Sequence, residues 1–498
     1  MRSSSLRYLP IAVAIVAMTG CAVGPDYTKP VAPAPANWSG ARSGDASLRD
    51  VGATDAAIPP AATWWKAFGD PVLDALEAEA ANASPDVQTA ALRFAQSRAQ
   101  RKTIAAQRGP EVGLSAAAQR QRASEAGAMT RTVDVLAPPE RRENLVKLLS
   151  QPYDLYQGGF DASWEPDFWG RVRRSVESAD AQVAGAEALA DGVRLDVAAE
   201  VARRYFELRG SQRQIALARA DIDAAQERFG LMKARADGGM VSDLDAIQQE
   251  ALLAELRARL PSLLAEEAAT LDGLSLLLGK PPGSLDARLA PQRSDGDARL
   301  PALSLGVPSD VARRRPDIRQ AEAALHRATA DVGVAVADLY PAIRLGASFG
   351  LESIRTEQFS DWGSRRWSVG PSLDLPVFDM GRRRSVVTLR KLQQQEAAVA
   401  WQKTVLQAWS DIDTALAGYA AERQRNAGLR ERERLAGEAN TLAAARYGNG
   451  RTSYIVVLDA QRTWLAAQRD RVASDEALAV RYIAVCKAIG GGDVATTP

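Results

Sequence analysis

Four stretches of the chain alternate strictly between apolar and polar residues, two in the first half and two in the second. Strict alternation is typical of a strand with one apolar and one polar face. Each stretch is about 9 residues long, which suits a half-buried sheet or a tilted strand of a membrane barrel. The sequence therefore predicts four strands, with apolar positions Val112, Leu114, Ala116 and Ala118; Tyr156, Phe160, Ala162 and Trp164; Ile343, Leu345, Ala347, Phe349 and Leu351; and Trp367, Val369, Pro371, Leu373 and Leu375.

Two long stretches without proline predict unusually long helices, from Gly170 to about Asp237 and from Gly381 to Tyr447. The first carries apolar residues in heptad spacing with one inserted step of four, which locally unwinds a left-handed supercoil. A wide tube of antiparallel helices and a solvent-exposed coiled-coil rod both fit this pattern. The apolar positions are Val172, Val176, Ala179, Val183, Ala186, Ala190, Val193, Val197, Val201, Tyr205, Leu208, Ile215 and Ile222, and, less regularly in the second helix, Leu392, Val399, Leu406, Trp409 and Leu416.

The chain repeats itself once, and the repeat organises all of these elements. The run Pro85-Asp86-Val87 recurs 231 residues later as Pro316-Asp317-Ile318, and four glycines recur 211 residues later. The difference of 20 residues falls between Pro110 and Gly159, so the first half has a longer loop there. Each half is predicted to run helix, strand, loop, strand, long helix, turn, helix. The glycine pairs are Gly159 with Gly370, Gly170 with Gly381, Gly239 with Gly450, and Gly279 with Gly490.

Four strands are too few to close a membrane barrel. Known barrels have about eight strands or more, because an open edge in lipid leaves backbone groups unpaired. If the predicted strands cross a membrane, the chain must therefore oligomerise, and three copies would supply about twelve strands. A sandwich of sheets is the alternative, but strands separated by such long helices would make a poor sandwich.

The N-terminus has the features of a secretory signal. Arg2 and Arg7 precede a short apolar run, Leu9 to Met18, which is typical of a signal peptide rather than of a membrane-spanning helix. Thr19-Gly20-Cys21 resembles a bacterial lipobox, which implies cleavage before Cys21 and acylation of its thiol. Ala22 follows where lipoproteins of the inner membrane typically carry Asp, which favours the outer membrane. An ordinary signal peptide with an incidental cysteine is the alternative.

Composition argues against several functional classes. The chain has 62 Lys and Arg residues and 61 Asp and Glu residues, so its net charge is only +1. This balance gives no large basic field, and nucleic acid is therefore not favoured as a partner. His326 is the single histidine, and Cys21 and Cys486 are the two cysteines, which excludes zinc sites of the CxxC type. No enzymatic activity, cofactor or metal is expected. Cys486 is predicted to be a small buried apolar residue, and His326 to have a packing or surface role.

With these features together, the chain resembles the outer-membrane factor lipoproteins of tripartite RND-type efflux systems, the OprM/TolC-like family. The resemblance covers essentially the whole mature chain. The residues that carry it are Cys21-Ala22-Val23-Gly24-Pro25-Asp26-Tyr27, Trp64-Trp65 with Phe68, Gly306 to Val311, Arg313 to Ile318, and Val457 to Arg462.

This resemblance implies a mainly helical fold with membrane β-strands. It implies a homotrimer whose twelve-stranded outer-membrane β-barrel continues into a periplasmic α-barrel of twelve helices, with an equatorial domain around it. It also implies a passive exit duct that works with a periplasmic adaptor protein and an inner-membrane RND-type pump. The protein would lie in the outer membrane among its lipids, with no nucleic-acid partner.

The predicted organisation along the chain has six parts. The crossing between the two repeats is expected to contribute to the equatorial domain. The parts are a signal peptide at residues 1–20, a lipidated N-terminal tether at 21–62, the first repeat at 63–280, the crossing at 281–308, the second repeat at 309–489, and a C-terminal tail at 490–498.

The resemblance also implies a gate at the periplasmic tip, near the turns at Gly239 and Gly450. Asp459 matches an acidic ring that constricts the entrance, and three such carboxylates would select against anions and could bind cations. Ile455, one helical turn earlier, matches an apolar constriction ring. Arg462 could pair with a carboxylate and hold the tip closed.

A second contact, the tip latch, is implied between neighbouring helix pairs. Asp245 matches the acceptor of the latch and Tyr447 matches one donor. Ordinary solvated charges at helix ends are the alternative explanation for Asp459 and Asp245.

Two other functions share part of the pattern. A lipid-anchored coiled-coil protein that braces the envelope would have the lipobox and the heptads, but no reason for four amphipathic strands at fixed places in two repeats. An outer-membrane duct for protein secretion would share the whole fold. The lipidated subtype favours small-molecule efflux over secretion, by analogy.

Overall fold

The structure is a computed structural model that describes residues 22–32, 44–48, 63–127, 130–133, 137–291, 300–303, 305 and 308–491. The predicted signal peptide, Cys21 and most of the predicted C-terminal tail lie outside these residues. The chain forms two compact units. The sheet unit comprises the described residues within Met1–Thr28, Arg98–Gln182 and Leu325–Glu396, and the helical unit comprises those within Lys29–Ser97, Val183–Ala324 and Ala397–Pro498.

The elements follow the order predicted for each half, and the described residues contain three additional short α-helices. The first half contains α1 (Pro71–Ala83), α2 (Pro85–Ala106), β1 (Glu111–Gln121), α3 (Pro139–Leu149), β2 (Tyr153–Trp164), α4 (Arg171–Asp237) and α5 (Asp243–Leu277). The second half contains α6 (Pro308–Arg314), α7 (Pro316–Ala337), β3 (Ala342–Ser353), β4 (Arg365–Asp374), α8 (Arg382–Gly448) and α9 (Tyr454–Ala488).

The helices of the two halves match in length. The helices α2 and α7 have 22 residues each, α4 and α8 have 67, and α5 and α9 have 35. The bounds of each pair differ by the same 231 or 211 residues that separate the sequence landmarks. A residue of one half therefore has a defined counterpart in the other, which we call its repeat counterpart.

The four strands form one antiparallel sheet in the order β1-β2-β3-β4. Its register aligns one apolar row across all four strands, in which Leu114 faces Phe160, Phe160 faces Phe349, and Phe349 faces Trp367. All four side chains are exposed in the single chain. Asp161 and Ser348 belong to the opposite, polar face, where Asp161 accepts a hydrogen bond from Ser115. The alternation of the sequence thus gives a sheet with two chemically different faces.

The pairing of β2 with β3 depends on a close approach of two glycines. A Cβ atom added to Gly159 would lie 2.6 Å from Cα of Gly350, and one added to Gly350 would lie 2.7 Å from the carbonyl oxygen of Gly158. Neither distance can be met by real side chains, so both positions require glycine for steric reasons.

The substitution Gly159→Val is expected to prevent correct pairing of β2 with β3 and to reduce strongly the amount of folded protein in the outer membrane. Heat-modifiable migration of the purified protein in gel electrophoresis is the measurement. Gly346→Val is the control, because the atom nearest to a Cβ atom there is the carbonyl oxygen of Gly370 at 3.9 Å. Equal yields of the two variants would contradict this prediction.

Ion pairs and apolar contacts join the long helices to their neighbours within each unit. The helix α4 contacts α2 in the sheet unit and α7 in the helical unit, where α7 also contacts α8. The contacts are Arg101 of α2 with Asp180 of α4 at 2.7 Å, Arg319 of α7 with Asp191 of α4 at 3.0 Å, and Ile318 of α7 with Trp401, Val405 and Ala408 of α8. None of the described helices has an apolar stretch long enough to cross a bilayer.

The apolar positions predicted for the two long helices differ in burial. On α4, Val172, Val176 and Ala179 are buried, as the heptad pattern predicts. On α8, Leu416 is buried, but Leu392, Val399 and Leu406 are 57%, 64% and 66% exposed. The reason is that α8 packs on α7 through another face, which carries Trp401, Val405 and Ala408.

The largest core lies in the helical unit. It joins α1, the middle of α4, the ends of α5 and α9, and the crossing between the two halves. Four leucines of the crossing are buried in it, namely Leu285, Leu289, Leu303 and Leu305. Cys486 is buried there as predicted, and burial raises the pKa of its thiol to about 12.

The arginine run before α7 also has a structural role. The side chain of Arg315 is largely buried, and burial opposes its charge, but two carboxylates raise its pKa overall. Its guanidinium contacts Asp317 at 2.7 Å and Asp411 at 3.3 Å, and donates to the carbonyl of Ala488 at 2.6 Å. One arginine therefore connects the start of α7 to α8 and to the end of α9.

Candidate functional site: the helix turns

The turns that join α4 to α5 and α8 to α9 have the same backbone geometry. Gly239 and Gly450 adopt φ values of +70° and +67°. Each donates to the carbonyl three residues earlier, and the next residue, Met240 or Arg451, donates to the carbonyl five residues earlier. This is the Schellman arrangement, which ends a helix at a glycine and satisfies its last carbonyls. The repeated glycines of the sequence thus mark the two turns.

A small apolar cluster, here called the tip core, packs beside these turns. It contains Ala225 and Met232 of α4, Leu252, Leu253 and Leu256 of α5, Ala443 of α8, and Tyr454, Val457, Leu458 and Leu465 of α9. Four helix ends therefore share one core.

Two buried polar side chains cross the tip core. The hydroxyl of Tyr454 donates to Oε1 of Gln249 at 2.7 Å, and Nε2 of Gln249 donates to the carbonyl of Ala225 at 3.2 Å. Gln249 is completely buried. Burial raises the pKa of Tyr454 to about 12, so its hydroxyl keeps the proton that it donates. This chain of bonds connects α9 to α5 and α5 to α4.

The predicted gate residues lie on the opposite face of α9. Tyr454, Val457, Leu458 and Gln461 are buried, whereas Ile455, Asp459 and Arg462 are exposed along one stripe with i, i+4, i+7 spacing. Ile455 is 57% exposed. In the part of the chain that the structure describes, no ion pair involves Asp459 or Arg462. The three residues thus share one exposed face of α9, but Asp459 and Arg462 do not form an ion pair with each other.

The predicted latch residues lie at the edge of the tip core. Tyr447 is half-buried and its ring lies 5.3 Å from that of Tyr454. Asp245 is half-buried in the first turn of α5, close enough to Tyr454 that its carboxylate contributes to raising the pKa of that tyrosine. Among the described residues, Asp245 and Tyr447 are not hydrogen-bonded to each other.

Comparison with known proteins identifies the family. The sequence model described as outer membrane efflux protein matches residues 76–280 and 307–491. The chain belongs to this family. It is 32% identical over 495 residues to the pyoverdine export outer membrane protein OpmQ of Pseudomonas putida, covering 99% of this chain and 98% of that protein. It is 30% identical over 475 residues to nodulation protein T of Rhizobium leguminosarum bv. trifolii, covering 95% of each.

Solved structures agree with this assignment. The outer-membrane channel OprN has a TM-score of 0.82 and 30% identity, covering 95% of this chain and 99% of that one. The predicted relationship to efflux outer-membrane factors is therefore confirmed, as is the mainly helical fold with an amphipathic sheet. This outer membrane efflux protein is an exit duct of the outer membrane.

The residues that follow Cys21 are docked against the start of α4 in the sheet unit of this efflux protein. Val23 donates to the carbonyl of Trp169, and the guanidinium of Arg174 contacts Asp26 at 2.6 Å. A Cβ atom on Gly24 would lie 2.6 Å from Cα of Gly333 in α7. Tyr27 stacks on His326 with ring centroids 4.1 Å apart, so the single histidine has a packing role. The run that carries the family resemblance near the N-terminus is therefore a packed segment.

Two polar groups on the helices that form the tip core were not predicted from the sequence. Gln249 is one, because a polar residue within a helix carries no pattern that marks it as buried. Asp221 of α4 is the other. Burial raises its pKa to about 6, although Arg469 of α9 and Arg228 lower it. The proximity of Asp221 to Arg469 comes from tertiary packing, which neither local sequence reports.

The substitution Gln249→Leu is expected to lower the free energy of unfolding of the efflux protein by about 1–3 kcal/mol, because the hydroxyl of Tyr454 loses its acceptor while remaining buried and the carbonyl of Ala225 loses its second donor. Thermal denaturation in detergent measures the effect. Tyr454→Phe removes only the hydroxyl donor. The loss of unfolding free energy in the double variant should be smaller than the sum of the losses in the two single variants. Strict additivity would show that the bond contributes nothing.

Proposed function

We propose that this protein works as a homotrimeric exit duct for small molecules, with a periplasmic adaptor protein and an inner-membrane RND-type pump. The observation that carries the proposal is a sheet with one apolar face and one polar face whose outer strands, β1 and β4, are both edges. In lipid, such edges leave backbone groups unpaired unless other copies cover them. Three copies would close a ring of twelve strands, with β4 of each copy beside β1 of the next.

The small-molecule class is supported by the relatives. Two of them are named for pyoverdine export and toluene efflux. A duct for protein secretion would use the same fold, so substrate class is the point that an experiment must decide. The pump would supply the energy, since the sequence of the duct contains no candidate site for chemistry.

The gate is proposed to lie on the exposed stripe of α9. Because the other face of α9 is buried in the tip core, the stripe with Ile455, Asp459 and Arg462 is free to face the axis of a trimer. Three copies of Asp459 would then form an acidic ring, with Ile455 supplying an apolar ring beside it. Asp245 and Tyr447 are proposed to contribute a latch between neighbouring helix pairs in the closed state.

The N-terminus is proposed to carry a lipid. After removal of residues 1–20, acylated Cys21 would precede the packed segment from Ala22 to Tyr27, so that the lipid joins the protein beside the start of α4. Mass spectrometry of the N-terminal peptide of the mature protein is the test. An unmodified first residue would refute the lipid anchor and leave the duct unaffected.

The first experiment on function is a growth-inhibition panel with a deletion strain and a complemented strain, using dyes, detergents, several antibiotic classes, organic solvents and metal salts. Increased sensitivity to several unrelated compounds, reversed by complementation, is the expected result. Unchanged sensitivity in a strain that also lacks related ducts, together with loss of a secreted protein, would favour the secretion alternative. Unchanged export and a weakened envelope would favour the bracing alternative.

A further inference from the structure

The connection between β3 and β4 folds back onto the apolar face of the sheet. A Cβ atom on Gly158 would point away from the polar face and lie 3.3 Å from the ring of Phe359 in this connection. Trp362, farther along the connection, is exposed beside the same face. The other ends of the four strands lead into α2, α4, α7 and α8. In the proposed duct, the connection therefore lies at the outer surface of the membrane.

A shallow depression of about 520 Å³ opens on the apolar face beside Trp362. Its floor contains Ala162 and Ala347, which face each other across β2 and β3. These small side chains lie next to larger ones, so the surface is recessed there. Sites for small ligands have volumes of about 300–1,000 Å³, and this depression is therefore large enough for an apolar chain. Its wall is the aromatic row of the sheet, with Phe160, Phe349 and Trp367.

Arg365 lies at the outer end of this depression. It belongs to the apolar face, because it faces Leu351 and precedes Trp367 by two residues. Its Cζ atom lies 4.2 Å from the centre of the Trp362 ring, and its Nη1 donates to the carbonyl of Trp362 at 2.6 Å. Among the described residues, no ion pair involves Arg365. Trp362 thus holds a cation beside an apolar surface, with no carboxylate to neutralise it.

The first hairpin has a neutralised pair at the corresponding position. The repeat counterparts of Leu351 and Arg365 are Arg120 and Asp154, which face each other and form an ion pair at 3.5 Å. The second hairpin has leucine at the position of the arginine and arginine at the position of the aspartate. A cation at a membrane surface attracts anionic headgroups. The geometry therefore favours an anion from outside the chain at Arg365.

A second copy of the chain does not fit as the occupant of the depression. In the proposed ring the copies meet edge to edge, through β4 and β1, and both faces of the sheet stay uncovered. The polar face suits a water-filled lumen, so the apolar face meets lipid. The outer leaflet of an outer membrane consists mainly of lipopolysaccharide, whose lipid A part carries phosphate groups and acyl chains. Lipid A therefore combines the anion and the apolar chain that the site requires.

We propose that the depression binds the lipid A part of one lipopolysaccharide molecule, with an acyl chain against Ala162 and Ala347 and a phosphate on the guanidinium of Arg365. The inference rests on the outer-membrane orientation of the proposed function and adds a lipid site to it. A planar guanidinium can donate two parallel hydrogen bonds to one phosphate. The acyl chain and the aromatic row bury apolar surface against each other, which stabilises the complex further.

Binding of diphosphoryl lipid A to the full-length protein in mild detergent tests the site, with native mass spectrometry as the measurement. Arg365→Gln is expected to weaken binding about tenfold, because charge-assisted hydrogen bonds to the phosphate are lost. Arg366→Gln is the matched control. It removes the same charge from the next residue, which lies on the polar face and pairs with Glu352 at 2.8 Å, and it should leave binding unchanged.

Ala347→Phe separates the acyl chain from the charge, because it fills the depression and retains Arg365. It should also weaken the binding of lipid A. Heat-modifiable migration identifies the folded variants, and either variant alone is sufficient for the test. Wild-type affinity in a folded Arg365→Gln or Ala347→Phe variant would overturn the site.

Phosphatidylglycerol is the comparison lipid, since it has a phosphate and acyl chains but is a phospholipid. Binding as tight as that of lipid A would overturn the assignment to lipid A. The mass spectra also report the number of copies in each folded species. Absence of trimers would refute the homotrimer of the proposed function, whereas lipid binding is read separately from the added mass.

Discussion

Replacing Asp459 by alanine is expected to increase the single-channel conductance of the reconstituted protein severalfold and to abolish its preference for cations. Asp459 is exposed on the free stripe of α9, and no ion pair of the described residues involves it. In a trimer, three such carboxylates concentrate negative charge at the entrance, and this charge attracts cations and repels anions. Conductance and reversal potential in planar bilayers under a salt gradient measure both effects.

The matched control is Asp470→Ala. Asp470 lies on the same helix and has the same charge, but it pairs with Arg432 of α8 at 2.6 Å. Its removal should leave conductance and selectivity unchanged, while Asp459→Glu should behave as the wild type. An unchanged channel after Asp459→Ala, alone and combined with Asp245→Ala, would show that the gate assignment is wrong.

The second large effect concerns stability, and it comes from Glu77 in α1. Burial raises the pKa of its carboxyl to about 9, and nearby Asp74 contributes in the same direction. Oε1 of Glu77 has no hydrogen-bond partner among the described residues. The group is therefore protonated in the folded protein at neutral pH and ionised in the unfolded chain.

The direction of the pH dependence follows from this difference. Because the folded pKa is the higher one, the contribution to stability is complete below about pH 4.5 and is lost as the pH rises towards about 9. The substitution Glu77→Gln should raise the free energy of unfolding by about 3 kcal/mol at pH 7 and have little effect near pH 4.5. The apparent melting temperature of wild type and variant, measured in detergent from pH 4.5 to pH 9, checks the prediction.

Glu79 provides a control with the opposite sign on the same helix. Its carboxylate contacts Lys280 and Arg288, and these contacts lower its pKa. Glu79→Gln should therefore destabilise the protein at pH 7. A melting temperature of Glu77→Gln that is equal to or below the wild-type value at pH 7 would contradict the assignment of a buried neutral carboxyl.

Periodicity was sufficient to predict the four strands and the long helices of this fold, but not the short helices α1, α3 and α6. Alternation identified even β1, whose apolar positions include the weak pair Ala116 and Ala118, and the uninterrupted run from Gly170 to about Asp237 matches α4 to within one residue. These signals are local, so no tertiary information was required. Because the signals are local, they did not predict that part of the apolar face of α8 is exposed in the single chain. Periodicity reports that Leu392, Val399 and Leu406 share a face, but it does not report whether a covering helix belongs to the same chain.

The candidate site likewise contains features that the sequence predicts and features that it does not. The turn glycines and the stripe of Ile455, Asp459 and Arg462 follow from spacing together with the family resemblance. The bond between Tyr454 and Gln249 does not, because it joins residues 205 positions apart. Likewise the buried state of Glu77 could not be predicted, since its sequence context of alternating alanines and acids resembles that of an exposed helix.

The equal lengths of the paired helices restrict where residues can be inserted into or deleted from this chain. Removing one codon from α4 would shift its turn by about 1.5 Å and rotate it by about 100° relative to the turn after α8. The four helix ends in the tip core would then no longer meet, unless α5, α8 and α9 changed as well. The connection between β1 and β2 does not match its repeat counterpart, the connection between β3 and β4, in length, because the 20 additional residues of the first half lie between Pro110 and Gly159. Length variation within the paired helices therefore requires matching changes in all four, whereas a connection between strands can change in length alone.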